Sequence, residues 1–182
     1  MINLIFMCGI SGSGKSTIAL RKSAEEKNSI VISRDNIRFD ILTEKFGKKS
    51  DYSAEYFKCE REVFTKYIAE IVKAYNSGLY NNIYLDATHL NDKSRFKVIN
   101  ALDKALPAGW KDNTNFIFYL LICDMKTIKQ RQAIRPEIFR VKDEVIAQME
   151  KDYKEVSNDF LIKNNIKNYK IIWGDKNVKI NC

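Results

Sequence analysis

Nine residues near the start of the chain, Gly9-Ile10-Ser11-Gly12-Ser13-Gly14-Lys15-Ser16-Thr17, constrain its fold more than any others. They match G-x-x-x-x-G-K-[ST] at every fixed position. Leu4-Ile5-Phe6-Met7-Cys8 before them is a short apolar run that reads as a buried strand. Residues 17–26 after them mix polar and apolar side chains without Pro or Gly, and read as a helix. Glycines allow a tight turn whose backbone N–H groups point inward, a nest for phosphate oxygens at the positive end of a helix. The stretch is therefore predicted to hold a nucleoside triphosphate through Gly9, Ser11, Gly12, Ser13, Gly14, Lys15, Ser16 and Thr17. Lys15 would reach the outer phosphates, and the Ser16 hydroxyl would ligate Mg²⁺. A plain glycine-rich turn is the alternative, and the strand-loop-helix context speaks against it.

The rest of the composition sets bounds. At 182 residues, residues 1–182 are expected to form one domain with a substantial core. Apolar content of 45% and charged content of 30% are those of a soluble globular protein. No apolar run is long enough to span a membrane, and Met1-Ile2-Asn3 lacks the basic start of a signal peptide, so a cytoplasmic location is expected. Cys8, Cys59, Cys123 and Cys182 are scattered and His89 is the single histidine, which argues against a metal cluster and for a reducing compartment. The net charge of +8 suits a phosphorylated or nucleic-acid partner, but lysine-rich solvated surfaces carry such a charge for no functional reason.

Taken in order, Ile30-Val31-Ile32-Ser33 reads as a second strand, followed by a helix from Arg34 toward Phe46 with Gly47 as its stop. Residues 48–53 read as a polar, mobile loop. A long helix is expected over residues 54–77, with Phe64, Tyr67, Ile68, Ile71, Val72 and Tyr75 on its buried face. Ile83-Tyr84-Leu85 is a third strand that delivers Asp86. Asn91 or Asp92 caps a helix through Ala105, with Phe96, Ile99 and Leu102 inward. Residues 116–122 are the most apolar stretch and are expected to form a central strand buried on both faces. A helix over residues 124–133, an amphipathic helix marked by Val145, Ile146, Met149 and Tyr153, and a core strand over residues 169–173 complete the pattern, and residues 178–180 add a short strand. Alternating strands and helices predict a three-layer α/β fold with a central parallel sheet.

Two carboxylates follow strands and so should project at the sheet's carboxyl edge beside the glycine loop. Each could equally be a helix cap. Asp35 follows the second strand. Asp86 ends a hydrophobic run in the manner of a metal-holding carboxylate, a form that Ile122-Cys123-Asp124 and Trp173-Gly174-Asp175 share loosely. Position in the chain favours Asp86. Arg131 and Arg135 lie one helical turn apart just before Pro136, and Arg140 follows. Such a group is a solvated surface or, beside a phosphate loop, a lid over residues 131–142 whose guanidinium forks grip phosphate oxygens. The aromatics Phe39, Phe46, Tyr52, Tyr56 and Phe57 cluster nearby; most are expected in the core, and stacking of a base on one of them is the alternative.

Residues 9–17, Arg34-Asp35-Asn36-Ile37-Arg38, Asp86-Ala87-Thr88 and Arg131-Gln132-Ala133-Ile134-Arg135, in this order, resemble the phage-type polynucleotide 5′-kinases. The resemblance covers residues 3–150, and Arg-Asp-x-x-Arg after the second strand is its most specific element. It implies a P-loop kinase fold with a helical and loop lid, and transfer of the γ-phosphate of ATP, with Mg²⁺, to a 5′-hydroxyl end of RNA or DNA in nucleic acid repair. By the same resemblance, Asp35 takes the proton of the attacking hydroxyl and Arg38 contacts the acceptor's nearest phosphate. Asp86 supports Arg38 or the metal's waters, Thr88 lies on the acceptor side, and Lys15, Arg131 and Arg135 act on the transferring phosphate and the nucleotide. His89 stands where the family often has Asn. Asp124-Met125-Lys126-Thr127 lacks the second aspartate of a phosphatase motif, so no phosphatase is expected.

Two rival readings stand beside this one. One is a related kinase of a small metabolite, an antibiotic or aminoacyl-tRNA, which has no need of Arg38 when its substrate carries no phosphodiester beside the hydroxyl. The other is a nucleotide-gated binding module. A GTPase is disfavoured because no Asn-Lys-x-Asp element is present.

Overall fold

The structure is a computed structural model that describes residues 1–48 and 55–174. The short strand expected over 178–180, and most of the loop expected over 48–53, lie outside the described residues. Five strands form one sheet in the order β2-β3-β1-β4-β5, every neighbouring pair parallel: β1 Ile2–Cys8, β2 Ser29–Ser33, β3 Asn82–Asp86, β4 Thr114–Leu120 and β5 Tyr169–Trp173. Seven α-helices accompany them among the described residues: α1 Lys15–Glu25, α2 Arg34–Phe46, α3 Glu60–Asn76, α4 Asp92–Ala105, α5 Met125–Ile134, α6 Asp143–Asp152 and α7 Asn158–Lys163. None is long and apolar enough to cross a membrane.

Strand periodicity explains the layers. Leu4, Phe6 and Cys8 of β1 pack into the larger core with Val63, Tyr67, Ile99, Leu102 and Phe160, while Ile5 and Met7 face Ile18 and Ala19 of α1. Both faces of the central strand are thus covered, which is why its apolar run is continuous rather than alternating. Burying each such side chain contributes about 1.5–3 kcal/mol. At the amino end of the sheet a row of amides crosses four strands. Asn82 donates to Ser29 Oγ (3.1 Å), Asn3 to Asn82 Oδ1 (2.7 Å) and Asn115 to Asn3 Oδ1 (3.1 Å). These residues are register partners, so the row pins the strands at the end away from the glycine loop.

Several expectations need correction. The long helix begins at Glu60, not at residue 54, and residues 55–59 form a turn. Glu60 and Glu62 open the helix, where acidic groups suit the positive end of the dipole. β4 lies beside the centre rather than at it, and its burial alternates, with Ile122 outside the strand and exposed. Among the described residues β5 pairs only with β4, and Tyr169 and Trp173 are about half exposed. α7, capped by Ser157 and burying Phe160 and Leu161, was not anticipated.

The inward face of α4 is Arg95, Val98, Ile99 and Leu102, whereas Phe96 is 47% exposed. Arg95 occupies the core because its Nη1 donates to Asp92 Oδ1 (2.8 Å) and Glu155 O (3.2 Å) and its Nη2 to Lys154 O (2.7 Å), while its buried Nε has no hydrogen-bond partner among the described residues. Asp92 also accepts from Ser157 Oγ (2.6 Å). This clamp fixes the chain as it returns from α6. Arg95→Met keeps volume but strands Asp92 and two carbonyls; a loss of about 2–4 kcal/mol in urea unfolding is expected. A change below about 0.5 kcal/mol would show that the clamp does not hold the return segment.

Candidate active site

Because all strands run the same way, their carboxyl ends meet at one edge, and a cavity of about 780 Å³ opens there. The turn after β1 makes its floor. Gly12 and Gly14 have φ of 85° and 98°, values that L side chains rarely adopt. A Cβ on Gly9 would come within 2.7 Å of Ser13 Oγ and 2.8 Å of Leu121 O, so this position also excludes a side chain. Gly9 N donates to Thr88 O (2.9 Å), tying the loop to the segment after β3. Ser11, Gly12, Gly14, Lys15, Ser16 and Thr17 line the cavity. Gly9 and Ser13 are not among its lining residues, and the buried Ser13 hydroxyl has no hydrogen-bond partner.

Lys15 is buried, and its Nζ donates to Ile10 O (2.8 Å). Burial lowers its pKa, while Asp86 and Asp35 act to raise it. Asp86, at the end of β3, is buried too. Burial raises its pKa, and the Ser16 hydroxyl, the Lys15 ammonium and the Ser33 hydroxyl favour its charged form. Asp86 thus stands with Ser16, Ser33 and Lys15. Of the other carboxylates read as its rivals, Asp124 caps α5 through Thr127 N (2.8 Å), and Asp175 lies outside the described residues.

The second wall comes from α2 and the start of α3. Ser33 caps α2, which turns Asp35 and Arg38 into the cavity. Arg38 is only 5% exposed. Its Nε and Nη2 donate to Glu60 Oε1 (3.0 and 2.6 Å), and its Nη1 donates to Tyr56 Oη (3.0 Å) and to Asp35 Oδ1. Burial works against its charge, but Tyr56, Asp35 and Glu60 outweigh burial and raise its pKa. Arg34 Nη2 donates to the other oxygen of Glu60 (2.7 Å). The Asp35 side chain is 61% exposed, and Tyr56 and Arg38 both address its Oδ1.

Residues between 131 and 142 form the third wall. Arg131 Nη1 donates to Gly12 O (3.1 Å), and Arg135 Nη1 to Ser11 Oγ (3.0 Å). Between them the buried Gln132 donates to Ser11 Oγ (3.2 Å) and accepts from Val141 N (3.1 Å). Arg140 donates to Ala133 O and Arg135 O, stapling the lid rather than facing a ligand through those bonds. Asp35, Arg38, Asp86, Thr88, Arg131 and Arg135 therefore share one cavity with the glycine loop. Glu60 and Gln132 have no mark in the sequence, and Tyr56 reads there only as a core or stacking aromatic; each acts through a partner far along the chain, which no local pattern shows.

The chain matches the AAA domain family over residues 4–156. It belongs to that family. Among curated proteins, this AAA domain chain is 30% identical over 160 residues to a putative bifunctional polynucleotide kinase/RNA ligase of Autographa californica nuclear polyhedrosis virus. The match takes in 85% of this chain and 21% of that protein, so the chain spans about a fifth of the relative's length. Among solved structures, a putative kinase from Chloroflexus aurantiacus has a TM-score of 0.59 at 12% identity, over 94% of this chain and 88% of that one. A Pnkp1/Rnl/Hen1 complex has a TM-score of 0.51 at 20% identity, over 71% of this chain and 38% of that one. A sugar kinase from Janibacter has a TM-score of 0.52 at 19% identity, over 95% and 85%. The AAA domain here has the P-loop kinase fold.

His89 has φ of 41°, is buried against Phe6 (ring centroids 5.0 Å apart) and lies 3.4 Å from Tyr67 Oη. Burial, then the nearby Arg95, Arg34 and Lys15, push its pKa down to about 3. The folded value lies below the ordinary 6.5, so the unfolded chain takes up the proton first. The contribution of this histidine is full above pH 6.5 and falls as pH drops toward about 3. The stability gap between wild type and His89→Gln should therefore narrow by about 1.4 kcal/mol per pH unit between roughly pH 6 and 4. A gap that stays constant in pH-dependent urea unfolding would place a protonated His89 in the folded state.

Proposed function

We propose that the chain transfers the γ-phosphate of ATP to a 5′-hydroxyl end of RNA or DNA. The observation that carries this reading is Arg38, buried in the cavity wall and fixed by Glu60 beside Asp35. A neutral acceptor has no use for a guanidinium kept charged at that cost, whereas a phosphodiester next to the attacked hydroxyl does. The polynucleotide kinase named in the viral relative supports the same acceptor class.

The groups divide the work. Backbone N–H groups of the glycine loop and Lys15 bind the triphosphate. The carboxylate of Asp35 accepts the proton of the acceptor hydroxyl as that oxygen bonds to the γ-phosphorus. The β–γ bridging oxygen leaves with ADP, and Arg131 and Arg135 neutralise charge on the transferring group. Ser16 and Asp86 fit Mg²⁺: both offer hard oxygen donors, and the buried Asp86 gains from a cation beside it. Bound there, Mg²⁺ would supply positive charge to the β- and γ-phosphate oxygens. The rest of the ion's ligands would come from phosphates and water. The lid excludes water that would otherwise hydrolyse ATP.

Asp35→Asn removes the base and keeps its shape, so kcat should fall by about 10²–10⁴ while ATP affinity stays near that of wild type. Parallel loss of ATP binding and turnover would instead assign Asp35 to the nucleotide.

The acceptor is tested with labelled ATP, a nucleoside, its 3′-phosphate, 5′-hydroxyl oligonucleotides and a panel of sugars. The 3′-phosphate should be preferred over the bare nucleoside by about ten- to a hundredfold, and Arg38→Ala should erase that preference. Equal use of the two, or use of a neutral sugar alone, would assign the site to a metabolite kinase. ATP turnover with no acceptor at all would favour a nucleotide-gated module.

A further inference from the structure

The expectation that most of the aromatics Phe39, Phe46, Tyr52, Tyr56 and Phe57 pack in the core holds only in part, and Tyr52 lies outside the described residues. Phe39 and Tyr56 are half-buried, but Phe57 is 72% exposed although it lines the cavity. Its ring is not loosely placed. It meets Tyr56 edge-on (5.1 Å, 78°), Tyr56 meets Phe39 (6.5 Å, 67°), and Phe39 meets Phe139 of the lid (4.6 Å, 85°). The backbone beneath it is held as well. Lys58 N donates to Glu55 O (2.8 Å), and Glu60 N donates to Phe57 O (3.4 Å). Phe57 therefore sits on the same turn that delivers Glu60 to Arg38.

Exposure rises along this wall from Arg38, through Tyr56, to Phe57. The guanidinium stacks 4.4 Å from the Tyr56 ring, and Phe57 is the next ring outward. A strand whose first phosphate is read by Arg38 would carry its second base past Tyr56 to the exposed face of Phe57. Aromatic rings held at the mouth of a cationic site stack bases of any sequence, because every base has a π-face.

We propose that Phe57 is a stacking ledge for the base of the second nucleotide of the acceptor strand, on the 3′ side of the phosphate read by Arg38. This rests on the polynucleotide reading above and adds to it a length preference. The preferred acceptor has at least two bases and is read without regard to sequence at the second position. Arg38 recognises the phosphate, and Phe57 recognises the presence of a base beyond it.

The test uses the full chain and three acceptors: a 3′-phosphorylated nucleoside, a 5′-hydroxyl dinucleotide, and the same dinucleotide with an abasic second position. In wild type the intact dinucleotide should exceed the abasic one in kcat/KM by about 5- to 100-fold. Phe57→Ala should bring that ratio to near one, and Phe57→Trp should keep or raise it. The ratio is read within each variant, so a general effect on folding cancels. A wild-type ratio near one, or a ratio untouched by Phe57→Ala, overturns the ledge while leaving the acceptor class intact if the 3′-phosphorylated nucleoside is still used. Failure of all three acceptors alongside phosphorylation of a neutral sugar overturns both the ledge and the polynucleotide reading.

Discussion

Everything at the site depends on the parallel pairing of β1 with β3 on one side and β4 on the other. A slip of one residue would exchange Leu4, Phe6 and Cys8 with Ile5 and Met7 between the two cores, so the register is held by burial on both faces. The amide row from Ser29 through Asn82 and Asn3 to Asn115 holds it at the other end, where a slip would leave several amides without partners. With the register set, Gly9 emerges beside Thr88 and Leu121, and Asp86 emerges beside Lys15. The position of the phosphate loop is a consequence of strand pairing rather than an independent achievement of the loop.

Burial then forces the site's charges into two compensated groups. In the first, Lys15 and Asp86 are both shifted toward neutrality by burial, and each opposes the shift of the other. In the second, one carboxylate, Glu60, serves two arginines: Oε2 takes Arg34, and Oε1 takes Arg38 twice. That arrangement lets Arg38 stay charged in the wall, since an isolated buried cation would cost several kcal/mol. It also leaves Asp35 the exposed member of the group, with its Oδ2 free of hydrogen bonds among the described residues. The same folding constraint that fixes the guanidinium thus leaves the neighbouring carboxylate exposed to the cavity.

The local parts of this design were legible in the sequence and the nonlocal parts were not. The glycine loop, the strand before Asp86, the Gly47 stop of α2 and the Asn91 cap all follow from residues within a few positions of one another. The start of α3 was misplaced because residues 55–59 carry no Pro or Gly to mark the turn. Phe96 was assigned inward because an aromatic outranks an arginine in any local hydrophobic pattern. Arg95 wins the interior through Asp92 and through carbonyls about sixty residues away, which no window contains. Glu60 escaped notice for a similar reason: on α3 it reads as an ordinary first-turn acid, and its role appears only when α2 lies beside it. Arg38 is legible in the motif, and Asp86 reads there as a support for Arg38 or for the metal's waters; the fold puts Glu60, Tyr56 and Asp35 on Arg38, and Ser16 and Lys15 beside Asp86.

The lid shows how nonlocal contacts couple the two halves of the cavity. Toward the glycine loop it is held by neutral or charge-assisted hydrogen bonds from Arg131, Gln132 and Arg135 to Gly12 O and Ser11 Oγ. Each contributes only about 1–3 kcal/mol net, because water or a phosphate oxygen replaces the partner when the bond opens. Toward α2, Phe139 lies edge-on against Phe39. An aromatic pair of that geometry is worth about 0.5–1.5 kcal/mol beyond its buried area. Each attachment is modest on its own, and the two tie residues 131–139 to the glycine loop at one end and to α2 at the other. A segment tied at both ends is positioned by the glycine loop and by α2 together, so residues 131–139 link two walls of the cavity that are far apart in the chain.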